Sequence, residues 1–218
     1  MKLQQPLPRI YATIMALVGL FALIAQYYVN YDLKTVSTAE YTLRYFSFFT
    51  ILTNIMVVAT YIAIAVGAKT FLTRTKSITA VTLYIVMVGI IYNTVLRNLV
   101  DLQGIPLLVD RLLHSVIPVS LLIFWMFIVP REGLQWNYAI SYLWYPVCYF
   151  IYVIILGEKT GFYPYPFANV EKLGYPRAIM NGVSICVGFL VAAFLFIAVG
   201  RKRRHSETLN PAENNNSI

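Results

Sequence analysis

The sequence predicts an all-α, polytopic membrane protein with six transmembrane helices and both termini in the cytoplasm (N-in/C-in). Three observations carry that expectation. Of the 218 residues, 59% are hydrophobic and 12% charged, whereas a soluble domain averages about 25% charged. The apolar residues come in long blocks between short polar joints, more apolar surface than a water-soluble globule of this length can hide. The cations gather on alternate joints, the pattern left by the positive-inside rule.

The first block, Ile10 to Val29, is nearly free of charge. At about 1.5 Å of rise per residue it is long enough to cross a hydrocarbon core of roughly 30 Å. It shows neither the shorter apolar region nor the small-residue cleavage site of a signal peptide, so it is expected to stay in the mature protein. The other blocks are Thr42 to Gly67, Ile78 to Val100, Leu108 to Val129, Tyr138 to Gly157 and Arg177 to Val199. In lipid the backbone must satisfy its own polar groups, so blocks of this length are helices; barrel strands would be shorter and would alternate. Residues 1–200 therefore form one six-helix transmembrane domain. Residues 201–218 form a basic and then polar, disordered cytoplasmic tail containing Asn214, Asn215 and Asn216.

With six spans the joints alternate sides. Lys2, Arg9, Lys69, Arg74, Lys76, Arg131 and the run Arg201 to Arg204 all fall on one side, which the positive-inside rule makes cytoplasmic. The net charge of +8 is thus a topology signal and points to no nucleic acid. The expected location is the cell membrane, multi-pass, and the expected partners are membrane lipids; the sequence names no oligomeric partner. Cys148 and Cys186 sit near helix centres and are read as buried thiols rather than a disulfide. No phosphate-binding loop, paired-histidine zinc signature, nucleophile elbow or internal repeat is present.

Polar side chains inside membrane helices are costly and often mark a working site. The second block carries Arg44, Ser47, Thr50 and Asn54 on one helical face; the third carries Asn93 and Arg97; the fourth carries Asp110 and His114, followed by Pro118. All three stripes lie in the outer half and are expected to converge on one pocket, with Arg44, Arg97, Asp110 and Arg111 nearer the interface, where they can hold an anionic head group. A serine or threonine there often only bonds its own backbone, and a histidine can be a packing or proton-relay residue. Asp110 either orients the imidazole or pairs with Arg97 or Arg111, the ion pair being the preferred reading. A hydroxyl and an imidazole without metal ligands suit nucleophilic acyl transfer, with Asn54, Asn93 or Arg97 as oxyanion donors. The outer half offers one histidine, no thiolate and one acid within reach, which do not make a zinc site, so no metal and no cofactor is expected.

The stretch Phe48-Phe49-Thr50-Ile51-Leu52, His114 with Pro118, and Gly161-Phe162-Tyr163-Pro164-Tyr165-Pro166-Phe167 together resemble the androgen-induced-gene (AIG)/ADTRP-like family of six-helix integral membrane proteins, in its bacterial branch. The eukaryotic members look like membrane-embedded threonine hydrolases that cleave fatty acid esters of hydroxy fatty acids. The resemblance implies a lipid-ester substrate, Thr50 as nucleophile and His114 as general base. A three-residue shift would make Ser47 the nucleophile. The family's Gly-x-x-x-Tyr-Pro-Phe falls on Gly161, Tyr165, Pro166 and Phe167. Its prolines oppose helix, and Tyr163, Tyr165 and Phe167 suit either an interface anchor or a lid over the pocket. The rival class is a non-enzymatic transporter or lipid-binding protein whose polar stripe lines a pathway, which discontinuous helices and repeated halves would favour.

Overall fold

The computed structural model describes residues 2–29, 31, 34–99, 101–130 and 133–209. Arg131, Val100 and the polar end of the tail, 210–218, lie outside the described residues. The described chain is helical, with no strand among the described residues. In order, the helices are α1 (Pro6–Val29), α2 (Thr38–Phe46), α3 (Phe49–Ala65), α4 (Thr75–Ile91), α5 (Gly104–Arg111), α6 (Ile117–Phe127), α7 (Tyr138–Ser141), α8 (Trp144–Thr160), α9 (Val170–Leu173) and α10 (Tyr175–Leu209). Five stretches are long and apolar enough to cross a membrane: Pro6–Val29, Thr75–Leu99, Gly104–Phe127, Tyr138–Thr160 and Tyr175–Lys202. The pair α2 and α3, bent by 70°, makes a sixth if it is one span.

That bend is the largest departure from the expected uninterrupted second block. α2 opens with Ser37 accepting from the Glu40 N–H at 3.2 Å, and Glu40 pairs with Arg44 one turn on. It closes at Ser47, whose hydroxyl turns back to the Arg44 carbonyl at 2.6 Å, a local bond that competes with helix continuation. Phe48 is extended, and α3 starts at Phe49. α3 runs along α1, while α2 turns away at the break and meets α1 only near its end. Tyr27 and Thr42 share a hydrogen bond of 2.8 Å at one end. Arg9 donates to the Ala65 carbonyl at 2.9 Å and Gln4 to Gly67 at 3.3 Å at the other.

The tail also departs from expectation. α10 stays helical through Leu209, past the basic run where the sequence placed the start of a disordered tail, because nothing in Arg201 to Leu209 breaks a helix already nucleated by the apolar segment.

Between apolar helices in lipid there is little hydrophobic drive, so close packing and internal hydrogen bonds hold the bundle. One core cluster joins α1, α3, α4 and α6 around Tyr61, Leu121, Phe124 and Trp125. Within it the Trp125 indole donates to Thr79 at 2.9 Å, and Tyr61 bonds Ser120 at 3.2 Å. A second cluster joins α4, α7 and α10 around Leu83, Tyr84, Tyr142 and Phe189. α1 meets α3 at Gly19, where a Cβ would lie 2.5 Å from a Val58 methyl. Gly19→Leu is therefore expected to destabilise the protein by about 1–3 kcal/mol, the range for overpacking. Gly188→Ala, whose Cβ would meet Met87 at an ordinary 3.6 Å, should leave stability unchanged; unfolding titrations in mixed micelles compare the two.

Candidate functional site

The break before α3 leaves the first N–H groups of that helix without intrahelical partners, and Phe48 supplies no side-chain cap. Two tyrosines from elsewhere in the chain do so. Tyr149 on α8 accepts from the Phe49 N–H at 3.1 Å and donates to the Ser47 carbonyl at 2.9 Å, so it closes the break from both sides. Tyr165 accepts from the Thr50 N–H at 3.3 Å, and its hydroxyl lies 3.4 Å from Thr50 Oγ1.

Tyr165 reaches that position because of the Gly-x-x-x-Tyr-Pro-Phe segment. Gly161 ends α8 in the left-handed conformation at φ 69°, which glycine adopts without strain. Tyr165 is extended, and Pro166 starts a short 3₁₀ turn to Ala168. Phe167 stacks on Tyr165 at 5.2 Å, and its carbonyl accepts from Asn181 on α10 at 3.0 Å. Burial pushes the Tyr165 phenol up, more than its hydrogen bonds to Thr50 pull it down, so it remains a neutral hydroxyl at physiological pH. Tyr163 packs instead against Gly157, where any Cβ would overlap its ring. Pro166 itself is exposed.

Thr50, Tyr149, Tyr165 and Phe167 line an apolar cavity of about 60 Å³ among α3, α4, α8 and α10. Tyr92 is also part of its wall. Ser47 is fully buried, is absent from the lining, and has its hydroxyl committed to Arg44.

His114 lies behind Tyr92. The rings stack with centroids 3.6 Å apart and planes 12° from parallel. Both residues sit on widened π turns, Tyr92–Leu96 and Leu112–Val116. The second has a visible cause: Pro118 has no N–H to offer the His114 carbonyl and its ring would crowd that carbonyl in a regular turn. Ile117 N–H closes on Leu112 instead, and Asn93 Nδ2 reaches the His114 carbonyl at 3.2 Å. Gly89 permits the approach, since a Cβ there would lie 3.1 Å from the same carbonyl.

His114 Nδ1 is 3.0 Å from Asp110 Oδ1 and 3.0 Å from the Asp110 carbonyl. Asp110 therefore orients the imidazole, where the sequence reading preferred its pairing with Arg97 or Arg111. The carboxylate lies one turn before His114 and points along the helix to the ring, while Arg97 donates to Asn93 Oδ1 at 3.3 Å and Arg111 is exposed. In the neutral tautomer that gives Nδ1–H to Asp110, the lone pair is on Nε2.

The stripes thus converge in part. Asn54 Nδ2 donates to the Thr50 carbonyl at 2.8 Å and to the Leu113 carbonyl at 3.4 Å, linking the nucleophile candidate to the residue beside His114. No hydrogen bond joins Thr50 to His114 among the described residues. The amide donors of Asn54 and Asn93 are spent on backbone carbonyls. Arg44 is apart from both, paired with Glu40 at 2.6 Å and placed 4.6 Å over the Phe162 ring. Cys148 and Cys186 are free; Cys148 is exposed on α8, not buried as read, and Cys186 lines the cavity. Among the described residues no three of His, Cys, Asp and Glu gather as metal ligands. Sequence reasoning missed Tyr92 and Tyr149. Both are among 17 tyrosines, and their targets are backbone groups and a ring that no spacing along the chain reveals. No family model, curated protein or solved structure matches the chain.

The capping role is directly measurable. Tyr149→Phe and Tyr165→Phe each strand a buried N–H and should cost about 1–3 kcal/mol of unfolding free energy. Tyr152→Phe, on the partly exposed face of α8, should cost almost nothing in the same titration.

Proposed function

We propose that the protein is a membrane-embedded hydrolase of lipid esters, with Thr50 as nucleophile, His114 as general base and Asp110 as the residue that orients it. The observation that carries this is the Asp110–His114 hydrogen bond, which orients an imidazole stacked on Tyr92, itself part of the wall of the apolar cavity on which Thr50 lies. His114 takes the Thr50 proton as the hydroxyl oxygen attacks the ester carbonyl, then returns it to the departing alcohol; water and the same histidine release the acyl group. The donor nearest Thr50 is the Tyr165 hydroxyl, and it takes the oxyanion role that the committed amides of Asn54 and Asn93 do not. Catalytic hydrogen bonds commonly tighten only on substrate, and this reading requires Tyr92 to yield so that Thr50 and His114 meet in the complex. The choice of a fatty acid ester of a hydroxy fatty acid rests on the AIG/ADTRP-like resemblance.

One observation favours the rival reading. The broken span α2–α3 resembles the discontinuous helices of transporters, whose half-helix N-termini meet anionic substrates. Labelling with a fluorophosphonate probe followed by peptide mapping separates the classes: hydrolysis predicts a Thr50 adduct. Thr50→Ala and His114→Ala should each abolish ester turnover, with the double variant no worse than either. Asp110→Asn should lower kcat by roughly 10²- to 10⁴-fold by favouring the wrong tautomer. Turnover lost in Ser47→Ala but kept in Thr50→Ala would move the nucleophile to Ser47, and a wild type that neither labels nor cleaves any long-chain ester would leave transport or binding.

The membrane arrangement belongs to the same proposal. The hydrogen bonds of α2 and α3 to opposite ends of α1 support reading the pair as one span, which gives six spans. Arg9, Lys69, Arg74, Lys76 and Arg201 fall at the end where α1 begins and α10 leaves its span, and the positive-inside rule supports assigning that end to the cytoplasm. Phosphatase fusions should be inactive after Arg204 and active after Lys159; the reverse pattern overturns the orientation.

A further inference from the structure

On the α8–α10 side, a single layer of side chains lies between the cavity that holds Thr50 and the bundle surface. Along the outer seam of α8 and α10 runs an apolar groove that includes Val147, Phe150, Ile151, Gly182, Val183 and Cys186. Ile151, Val183 and Val187 on its walls are each more than half exposed. These residues belong to helices long and apolar enough to cross a membrane, so the medium that covers the groove is the acyl region of the lipid. On the inner side lie Val88, Val153 and Phe189. Phe150, Gly182 and Cys186 line both spaces.

Within that layer Gly182 leaves a gap and Phe150 fills it. A Cβ on Gly182 would lie 2.5 Å from Phe150 Cζ, so the ring occupies the place a side chain would take. Nothing but packing holds a phenylalanine there, and rotation about χ1 moves it between staggered wells. A polar plug would carry hydrogen bonds to break; this one has none.

We propose that the α8–α10 seam is the port through which a long acyl chain passes from the bilayer into the cavity, with Phe150 as the gate and Gly182 as its seat. The ligand is a single alkyl chain, because the groove and the cavity walls behind it are apolar and the opening is one side chain wide. The port goes beyond the hydrolase reading and requires only that the cavity accept such a chain.

The test uses the full chain in phosphatidylcholine nanodiscs with a long-chain fatty acid bearing a mid-chain diazirine, followed by irradiation and mapping of adducts by mass spectrometry. Adducts are expected on Val88, Val153 or Phe189 inside as well as on Val183 or Val187 outside, and Phe150→Ala should raise the inner share. In a Cys148→Ala, Cys186→Ala background, Phe150→Cys with Gly182→Cys should lose the inner adducts on oxidation, keep the outer ones, and regain the inner ones on reduction. That recovery shows that the doubly substituted protein is folded. Adducts confined to the outer groove in both wild type and Phe150→Ala, or inner adducts that persist in the oxidised pair, would overturn the port. The probe carries no ester, so failure here leaves the Thr50 chemistry untouched, and failure of Thr50 labelling leaves the port untouched.

Discussion

In a bundle of apolar helices, a backbone hydrogen bond that is broken has no water to replace it, and each unmet N–H or carbonyl costs several kcal/mol. This constraint explains most of the polar residues in the interior. Among the described residues the helices are interrupted between Ser47 and Phe49 and depart from regular α geometry at Tyr92–Leu96 and around His114 to Pro118, and several conspicuous polar side chains nearby serve these places. Ser47 and Tyr149 complete the end of α2, Tyr149 and Tyr165 begin α3, and Asn93 covers the carbonyl that Pro118 cannot. Asn54 ties the first of these places to the last through the Leu113 carbonyl.

The repairs also set the site. A π turn moves the residues that follow it round the helix axis relative to a regular turn, and two such turns facing each other bring Tyr92 flat against His114. The ring is then held on one face by Tyr92 and at Nδ1 by Asp110, which leaves it little freedom to turn. Orientation of this kind is what a general base requires of its surroundings. It arises here from a proline and the glycine that admits it, Pro118 and Gly89.

Much of this was legible in the sequence, and the limits follow from distance along the chain. The spans were readable because apolar length is a local property, and the Asp110–His114 pair because four residues make one helical turn. The face shared by Thr50 and Asn54 was readable for the same reason, and Asn54 bonds the Thr50 carbonyl. The 70° bend was not, since no proline marks it and its cause is a serine hydroxyl bonded three residues back. Nor could spacing show that Tyr165 would cross 115 positions to meet Thr50, although the Gly161 to Phe167 motif had drawn attention to that loop. Spacing alone offers Asp110 both an arginine and His114; formal charge favours the former, whereas geometry along the helix favours the neighbour one turn away.

The broken helix bears differently on the two functional readings. A half-helix N-terminus presents a partial positive charge, and in a transporter that charge must be open to an anion. Here its first N–H groups are occupied by the Tyr149 and Tyr165 hydroxyls, so an anion would have to displace both tyrosines, one of them also bonded to the Ser47 carbonyl. A nucleophile in the second position of α3 needs no such displacement. Thr50 Oγ1 already stands at the positive end of the helix, where negative charge developing on that oxygen is favoured, and the adjacent Tyr165 hydroxyl is kept neutral by burial and can donate to it. The interruption that resembles a transporter's is, with its caps in place, better suited to stabilising charge generated during a reaction than to binding charge that arrives from solution.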